Sequence, residues 1–313
     1  MGPVKDQEKA AAEYRNGIIA IVGCSTLWGV LPIYWQAIKP IDSWVIIIYR
    51  IFLVCAVCLI AARTKYSWAE ITGPLKDRKV MMRYFIAGVV ITANWSTYIW
   101  AVNANRVIQT AIGYYIEPLM VCIFGIIFFR EKLTKWKAIA LISAMGSVVL
   151  ILVHFGQLPG IALVIAITFA TYSAIKKTMD APPILSLLHE TIFLAPLALI
   201  AIFYIEAKGI GAIGVGAPYK YVLLLLSGLM TAVPLGLFAR AASRIPLFAI
   251  GLISYISPSI SLALGVFWFK EPFDRVQLMA FAIIWIGLIF FTYGEYKEKD
   301  RNELIDGFDS FDC

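Results

Sequence analysis

The chain has 313 residues, of which 61% are hydrophobic and 15% charged, with a formal net charge of +7 and a mean hydropathy of +0.81. A soluble domain of this length could not bury so much apolar surface, so the composition points to a polytopic membrane protein. The Lys and Arg residues fall in short loops rather than on one patch, which reads as topology determination and not as a nucleic-acid surface.

Residues 1–16 are polar and charged. They precede the apolar segment Gly17 to Trp35, after which no small-x-small cleavage site follows, so this segment reads as a retained first helix. Ten segments reach the length of about 20 apolar residues that spans a bilayer. They lie near 17–35, 43–62, 82–102, 107–129, 136–153, 159–175, 184–205, 220–239, 246–269 and 276–293. The joining loops are short, so neighbouring helices run antiparallel and no soluble domain fits between them. The longest polar loop runs from Arg63 to Lys79, and the tail from Glu295 is acidic and reads as disordered at its end. Cys55 and Cys58 form a C-x-x-C inside the second segment. With no second pair and no nearby His, they read as small apolar helix residues.

With the N-terminus in the cytoplasm, 20 Lys and Arg fall on the cytoplasmic side and 6 on the other, Arg50 lying within a helix. That asymmetry favours both termini inside. A repeated phrase then gives the architecture. Tyr115-Ile116-Glu117-Pro118, Gly125 and Phe129-Arg130-Glu131 recur 140 positions later as Tyr255-Ile256-Ser257-Pro258, Gly265 and Phe269-Lys270-Glu271. Five helices per half is an odd number, so the second half enters from the opposite face. The expected fold is an all-α integral membrane protein with ten transmembrane helices in two inverted five-helix repeats, 17–153 and 159–293. A cytoplasmic segment 1–16 and a tail 294–313 flank them. Inverted halves around a shared cavity are the architecture of an alternating-access transporter.

Asn94-Trp95, Tyr98-Ile99-Trp100-Ala101-Val102, Gly113-Tyr114-Tyr115-Ile116 and Pro118-Leu119 resemble the first-half signature of RarD-type permeases. Those permeases belong to the EamA group of the drug/metabolite transporter superfamily. Thr231-Ala232-Val233-Pro234-Leu235, Phe238-Ala239, Gly251-Leu252, Tyr255-Ile256-Ser257-Pro258, Glu271-Pro272-Phe273 and Ile284-Trp285-Ile286-Gly287-Leu288 resemble the second half. Trp28-Gly29, Pro32, Tyr34 and Tyr49-Arg50 fit the first two helices. The resemblance covers roughly 17 to 293. It implies ten helices, cytoplasmic ends and passage of small metabolites or drugs across the bacterial inner membrane. Glu117, where the family pattern has Asn, and Tyr49, where it has His, are departures that bear on substrate or coupling.

Arg50 is a charge that lipid tolerates poorly, so it must face a cavity or a partner. Its guanidinium suits a substrate carboxylate or phosphate, and the alternative is a structural pair with Glu117. Glu117, ahead of Pro118, is a candidate proton carrier. Pro118 and Pro258 each remove a helix hydrogen bond and free a carbonyl. Ser254, Ser257 and Ser261 form a hydroxyl stripe, which equally suits close helix packing. Asn94, Trp95 and Tyr98, with Tyr114, Tyr115 and Tyr255, offer polar-tipped aromatic walls for a cavity, the alternative being an interfacial belt.

His189 and Glu190 point about 100° apart, and His154 stands alone, so no metal site and no cofactor are expected. His189 reads as a packed residue. No nucleophile elbow, zinc-protease motif or phosphate loop occurs in the sequence, so an intramembrane enzyme is disfavoured. A channel is the other alternative, against which stand the short loops. The reading is a secondary permease for small, amphipathic solutes, anionic ones among them. It is driven by the substrate gradient or by protons, with a small-molecule substrate and the bilayer as partners and no nucleic acid.

Overall fold

A computed structural model describes residues 3–103, 107–156, 160–268 and 275–309. Within those residues the chain is helical throughout. In order the helices are α1 (Pro3–Ile38), α2 (Ser43–Arg63), α3 (Trp68–Lys76), α4 (Arg78–Asn103), α5 (Val107–Phe129), α6 (Lys135–Phe155) and α7 (Gly160–Lys177). Then come α8 (Pro183–Thr191), α9 (Ala195–Ala207), α10 (Tyr219–Ala242), α11 (Leu247–Ser254), α12 (Ile256–Ala263), a π turn (Leu264–Trp268) and α13 (Arg275–Asp309). Residues 269–274, which hold Phe269-Lys270-Glu271 and Pro272-Phe273, lie outside the described residues, as does the Tyr115 side chain.

Six of the described helices are long and apolar enough to cross a membrane, or seven if the bent pair α8 and α9 is one span. Ile116–Phe129 within α5 and Leu278–Gly294 within α13 are shorter apolar stretches among the described residues, and α4 carries Thr92, Asn94, Ser96 and Thr97 in its apolar run. The molecule's outer surface is apolar: Ile142, Val153, Phe203 and Phe267 are all strongly exposed. Such a surface is stable against hydrocarbon, where helices satisfy their own backbone polar groups. The protein is a multi-pass membrane protein.

Two long helices carry the polar ends of the chain. α1 has 36 residues, a length of about 54 Å at 1.5 Å per residue, well beyond the hydrocarbon core. α13 likewise continues through the charged tail to Asp309, so the helix, and not loose chain, is what the tail forms as far as it is described.

Prolines set the breaks. Pro196 near the start of α9 cannot donate to the carbonyl of Ile192, and α8 and α9 meet at 55°. Pro258 cannot donate to the carbonyl of Ser254, where α11 ends, and α12 begins at Ile256. α5 runs unbroken through Pro118. Close approach is set by glycine. A side chain at Gly251 would collide with the Pro118 carbonyl and Cys122 of α5, and one at Gly88 with the Glu190 carbonyl of α8. These are small-residue crossings of the kind that hold membrane helices together by van der Waals packing.

The core lies between the helices of residues 3–155 and those of residues 160–309. α1 packs on α10 and α12, α2 on α8, α9 and α10, α4 on α7 and α8, α5 on α7 and α11, and α6 on α13.

Candidate functional site

Arg50 sits near the middle of α2, half-buried, with its guanidinium carbon 4.2 Å from the Trp95 ring centroid of α4 and 5.5 Å from that of Trp35 at the end of α1. Tyr98, three residues after Trp95 and so on the same helix face, packs edge-on against Tyr114 of α5 at 5.5 Å. Both phenols lie within electrostatic reach of Arg50. The rings of Trp35 and Trp95, from the end of α1 and from α4, thus flank the Arg50 cation, a favourable arrangement for the charge's faces. The edge is a different matter. Arg50 Nε is buried with no hydrogen-bond partner, and among the described residues no carboxylate pairs with this guanidinium.

Other expected residues fall around this centre. Glu117 is half-buried on α5, one turn beyond Tyr114; it forms no ion pair with Arg50 among the described residues. Asn94 is buried, and its amide donates to the Ile165 carbonyl at 2.7 Å and the Thr168 hydroxyl at 3.0 Å, tying α4 to α7. Ser254 Oγ donates to its own helix at Ile250. Tyr255 is fully buried at the α11–α12 junction. Ser257 is half-buried, and its carbonyl lies where a side chain at Gly29 of α1 would fall, 3.0 Å away. The structure therefore brings Arg50, Trp95, Tyr98 and Tyr114 together with Glu117 beside them, and gives Asn94 and Ser254 helix-bonding roles.

Beside Trp95, between α2, α4, α8 and α10, lies a cavity of about 20 Å³, bordered by Ile51, Thr92, Glu190, Thr191 and Leu235. That volume holds about one water molecule. Polar contacts join helices near both ends of the bundle. At one end the Tyr49 hydroxyl donates to Glu206 at 2.6 Å, Glu206 accepts the Ala212 N–H at 2.6 Å, and Tyr34 donates to the Leu223 carbonyl. At the other end Glu131 accepts both the Leu247 and Phe248 N–H groups at 2.8 Å, capping α11 from 116 residues away. That cap suits the positive end of a helix dipole. Lys177 bridges from the Ile245 carbonyl at 2.8 Å towards Glu131, and Arg244 pairs with Glu13. Gly125 leaves the room this cap needs, and Arg130, at φ 51°, turns Glu131 back onto the helix.

Sequence reasoning missed three participants. Trp35 stood only as the end of the first apolar segment. Tyr49, noted only as a departure from a pattern, turns out to hold Glu206. Lys176, counted among the loop cations, is buried at 1% side-chain exposure and paired with Glu190 at 2.6 Å. Glu190 also accepts from the Ser186 hydroxyl at 3.0 Å and the Tyr172 hydroxyl at 3.1 Å. The available signal was Glu190 itself, because a carboxylate in an apolar helix demands a partner. His189 is packed, with Nε2 2.7 Å from the Ile71 carbonyl and its ring 4.8 Å from Tyr84.

Comparison with known proteins decides the family. The family model described as "EamA-like transporter family" matches residues 15–153 and 159–293, nearly the whole chain. The chain belongs to the EamA-like transporter family. It is similar to the Bacillus subtilis (strain 168) protein named "Uncharacterized transporter YojE", at 34% identity over 92% of this chain and 97% of that one. It is also similar to "Protein RarD" of Streptomyces exfoliatus, at 31% identity over 94% of this chain and 93% of that one. A solved crystal structure matches with a TM-score of 0.68 at 17% identity, over 90% of this chain and 98% of its own, a likeness of fold alone. The RarD-type resemblance is thereby established, and the protein is a membrane transporter of the drug/metabolite type, with a small-molecule substrate and a lipid surround.

Proposed function

We propose that this EamA-family protein is a secondary permease of the bacterial plasma membrane. It moves a small metabolite or drug-like solute by alternating access between two inverted halves, 17–153 and 159–293. The ten spans are α1, α2, α4, α5 and α6, then α7, α8–α9, α10, α11–α12 and α13, with both termini cytoplasmic.

The observation that carries this reading is the packing between the halves, which maps onto itself when they are exchanged. The contact of α5 with α7 becomes that of α11–α12 with α1, and both exist. The contact of α4 with α7 becomes α10 with α1, and that of α2 with α10 becomes α8 with α4; all four exist. α6 with α13, α5 with α11, and α2 with α8–α9 are their own images. Two halves related in this way have two states of similar energy by exchanging conformations.

In this reading Arg50, Trp95, Tyr98, Tyr114, Tyr115 and Glu117 line the substrate path, with Tyr255 and Ser257 on the opposing half and Asn94 and Ser254 holding the walls. Transport runs on the substrate's own gradient or on protons, for which Glu117 is the coupling carboxylate. Single-cysteine labelling at positions 131 and 271 in intact cells tests the topology; reactivity from the same side would overturn it. Uptake into proteoliposomes with an imposed pH gradient tests coupling, and Glu117→Gln abolishes the pH dependence if Glu117 carries the proton. A steady ionic current in place of saturable flux would replace the permease with a channel.

A further inference from the structure

We infer that the Arg50 enclosure is a receptor for a single carboxylate carried on an apolar or aromatic body. The inference rests on the permease reading for the step from binding to transport, but not for binding itself.

The argument begins with a cation inside lipid. Such a group costs a few kcal/mol or more unless something neutralises it. In this protein the buried Lys176 is neutralised in full, by Glu190 at 2.6 Å and the Ser186 hydroxyl at 2.6 Å. Arg50 is not: Nε has no partner, the rings over it are those of Trp35 and Trp95, and the phenols of Tyr98 and Tyr114 lie within electrostatic reach. Two indole rings stabilise the cation by its faces, and neither they nor the two phenols bring an anion or a second cation.

That geometry narrows the ligand. Indole rings against the guanidinium leave its donors pointing outward in the plane. The Nε–H and the adjacent terminal N–H form a fork whose spacing matches the two oxygens of a carboxylate. A phosphate dianion would leave one negative charge unmatched, since Arg50 is the one cation at this site among the described residues. The body attached to the carboxylate meets Trp95 and then the cavity wall of Ile51, Leu187, Leu194 and Leu235, which is apolar. Thr191 and Glu190 border the far side, but the Glu190 carboxylate is already held by Lys176, Ser186 and Tyr172. The cavity as it stands holds about one water molecule, so a ligand enters only as the halves part.

The test uses the purified full-length protein in detergent at low chloride and reads saturable thermal stabilisation. The probes are benzoate, its neutral isostere benzamide, and inorganic phosphate. Benzoate is expected to stabilise the wild type, with benzamide and phosphate weaker by about tenfold or more, as expected when a charge-assisted fork is lost. Arg50→Gln is expected to abolish the benzoate response while melting normally without ligand. Should Arg50→Gln fail to fold, Arg50→Lys decides: a point charge in place of the fork is expected to bind benzoate about tenfold more weakly. Equal binding of benzamide, tighter binding of phosphate, no benzoate response in the wild type, or unchanged benzoate affinity in a folded variant would overturn the inference. Benzoate binding without flux in proteoliposomes would instead overturn the permease reading and leave this site standing.

Discussion

Lys176 and Arg50 are both cations within apolar helices, and the protein treats them in opposite ways. Lys176 is surrounded by acceptors, with Glu190 and Ser186 each at 2.6 Å, and the Tyr172 hydroxyl completes the shell around Glu190. Arg50 has aromatic faces around it and an unmet donor at its edge. A buried charge whose every bond is made within the protein locks helices in place. A buried charge with a bond left unmade keeps a position for something that comes and goes. The first ties α7 to α8, and the second stands where α1, α2 and α4 meet.

The comparison can be broken or sharpened by experiment. Removing one partner of the buried pair, with Lys176→Met or Glu190→Gln, should destabilise the protein by about 3–5 kcal/mol, because the other charge is left uncompensated. The double replacement Lys176→Met/Glu190→Leu should recover most of that loss in thermal unfolding. Single variants that cost no more than an exposed pair would show that Lys176 is not a lock. The Glu131 cap is an intermediate case, a carboxylate satisfied by two backbone N–H groups of another segment. Glu131→Ala should cost about 1–2 kcal/mol, the worth of a good helix cap, and amide exchange should quicken first at Leu247 and Phe248.

Arg50→Gln should change stability by only about 1 kcal/mol, because removing a charge from the apolar interior offsets the cation–π attraction that goes with it, while flux in vesicles disappears. A destabilisation as large as that for Lys176 would move Arg50 into the structural class. The smallest effect lies outside the membrane. Glu70 completes a capping box on α3, accepting from the Ser67 N–H at 2.8 Å and its hydroxyl at 2.7 Å. Those bonds hold its carboxyl below the usual 4.5. A lowered folded value means the cap is fully present above the ordinary carboxylate range and is lost as pH falls through the lowered one. Amide exchange over residues 68–71 should therefore quicken only in acid, with no change in flux near neutrality.

Part of the site could be read from the chain alone. Arg50 stands out because a charge inside an apolar run must have a reason, and Trp95 and Tyr98 share a face by helical spacing. Tyr114 and Glu117 fall one turn apart for the same reason. Trp35 could not be found this way, since a tryptophan near a helix end looks like any interfacial aromatic. Lys176 was misplaced because it precedes Lys177 and resembles a loop charge, whereas only the packing of α8 over α7 buries it. The Asn94 amide, a polar group inside the apolar run of α4, is what bonds that helix to α7.

The sequence by itself determined that this chain lives in lipid, that it is helical, and that its halves share a phrase. Those properties are additive along the chain: apolar length, proline and glycine placement, and repetition. What only the tertiary structure decided is which polar groups find each other. Pairing depends on side chains from helices far apart in sequence meeting within about 3 Å, a distance no local pattern encodes. Lys176 met Glu190 across 14 residues, Glu131 met α11 across 116, and Arg50 met only rings.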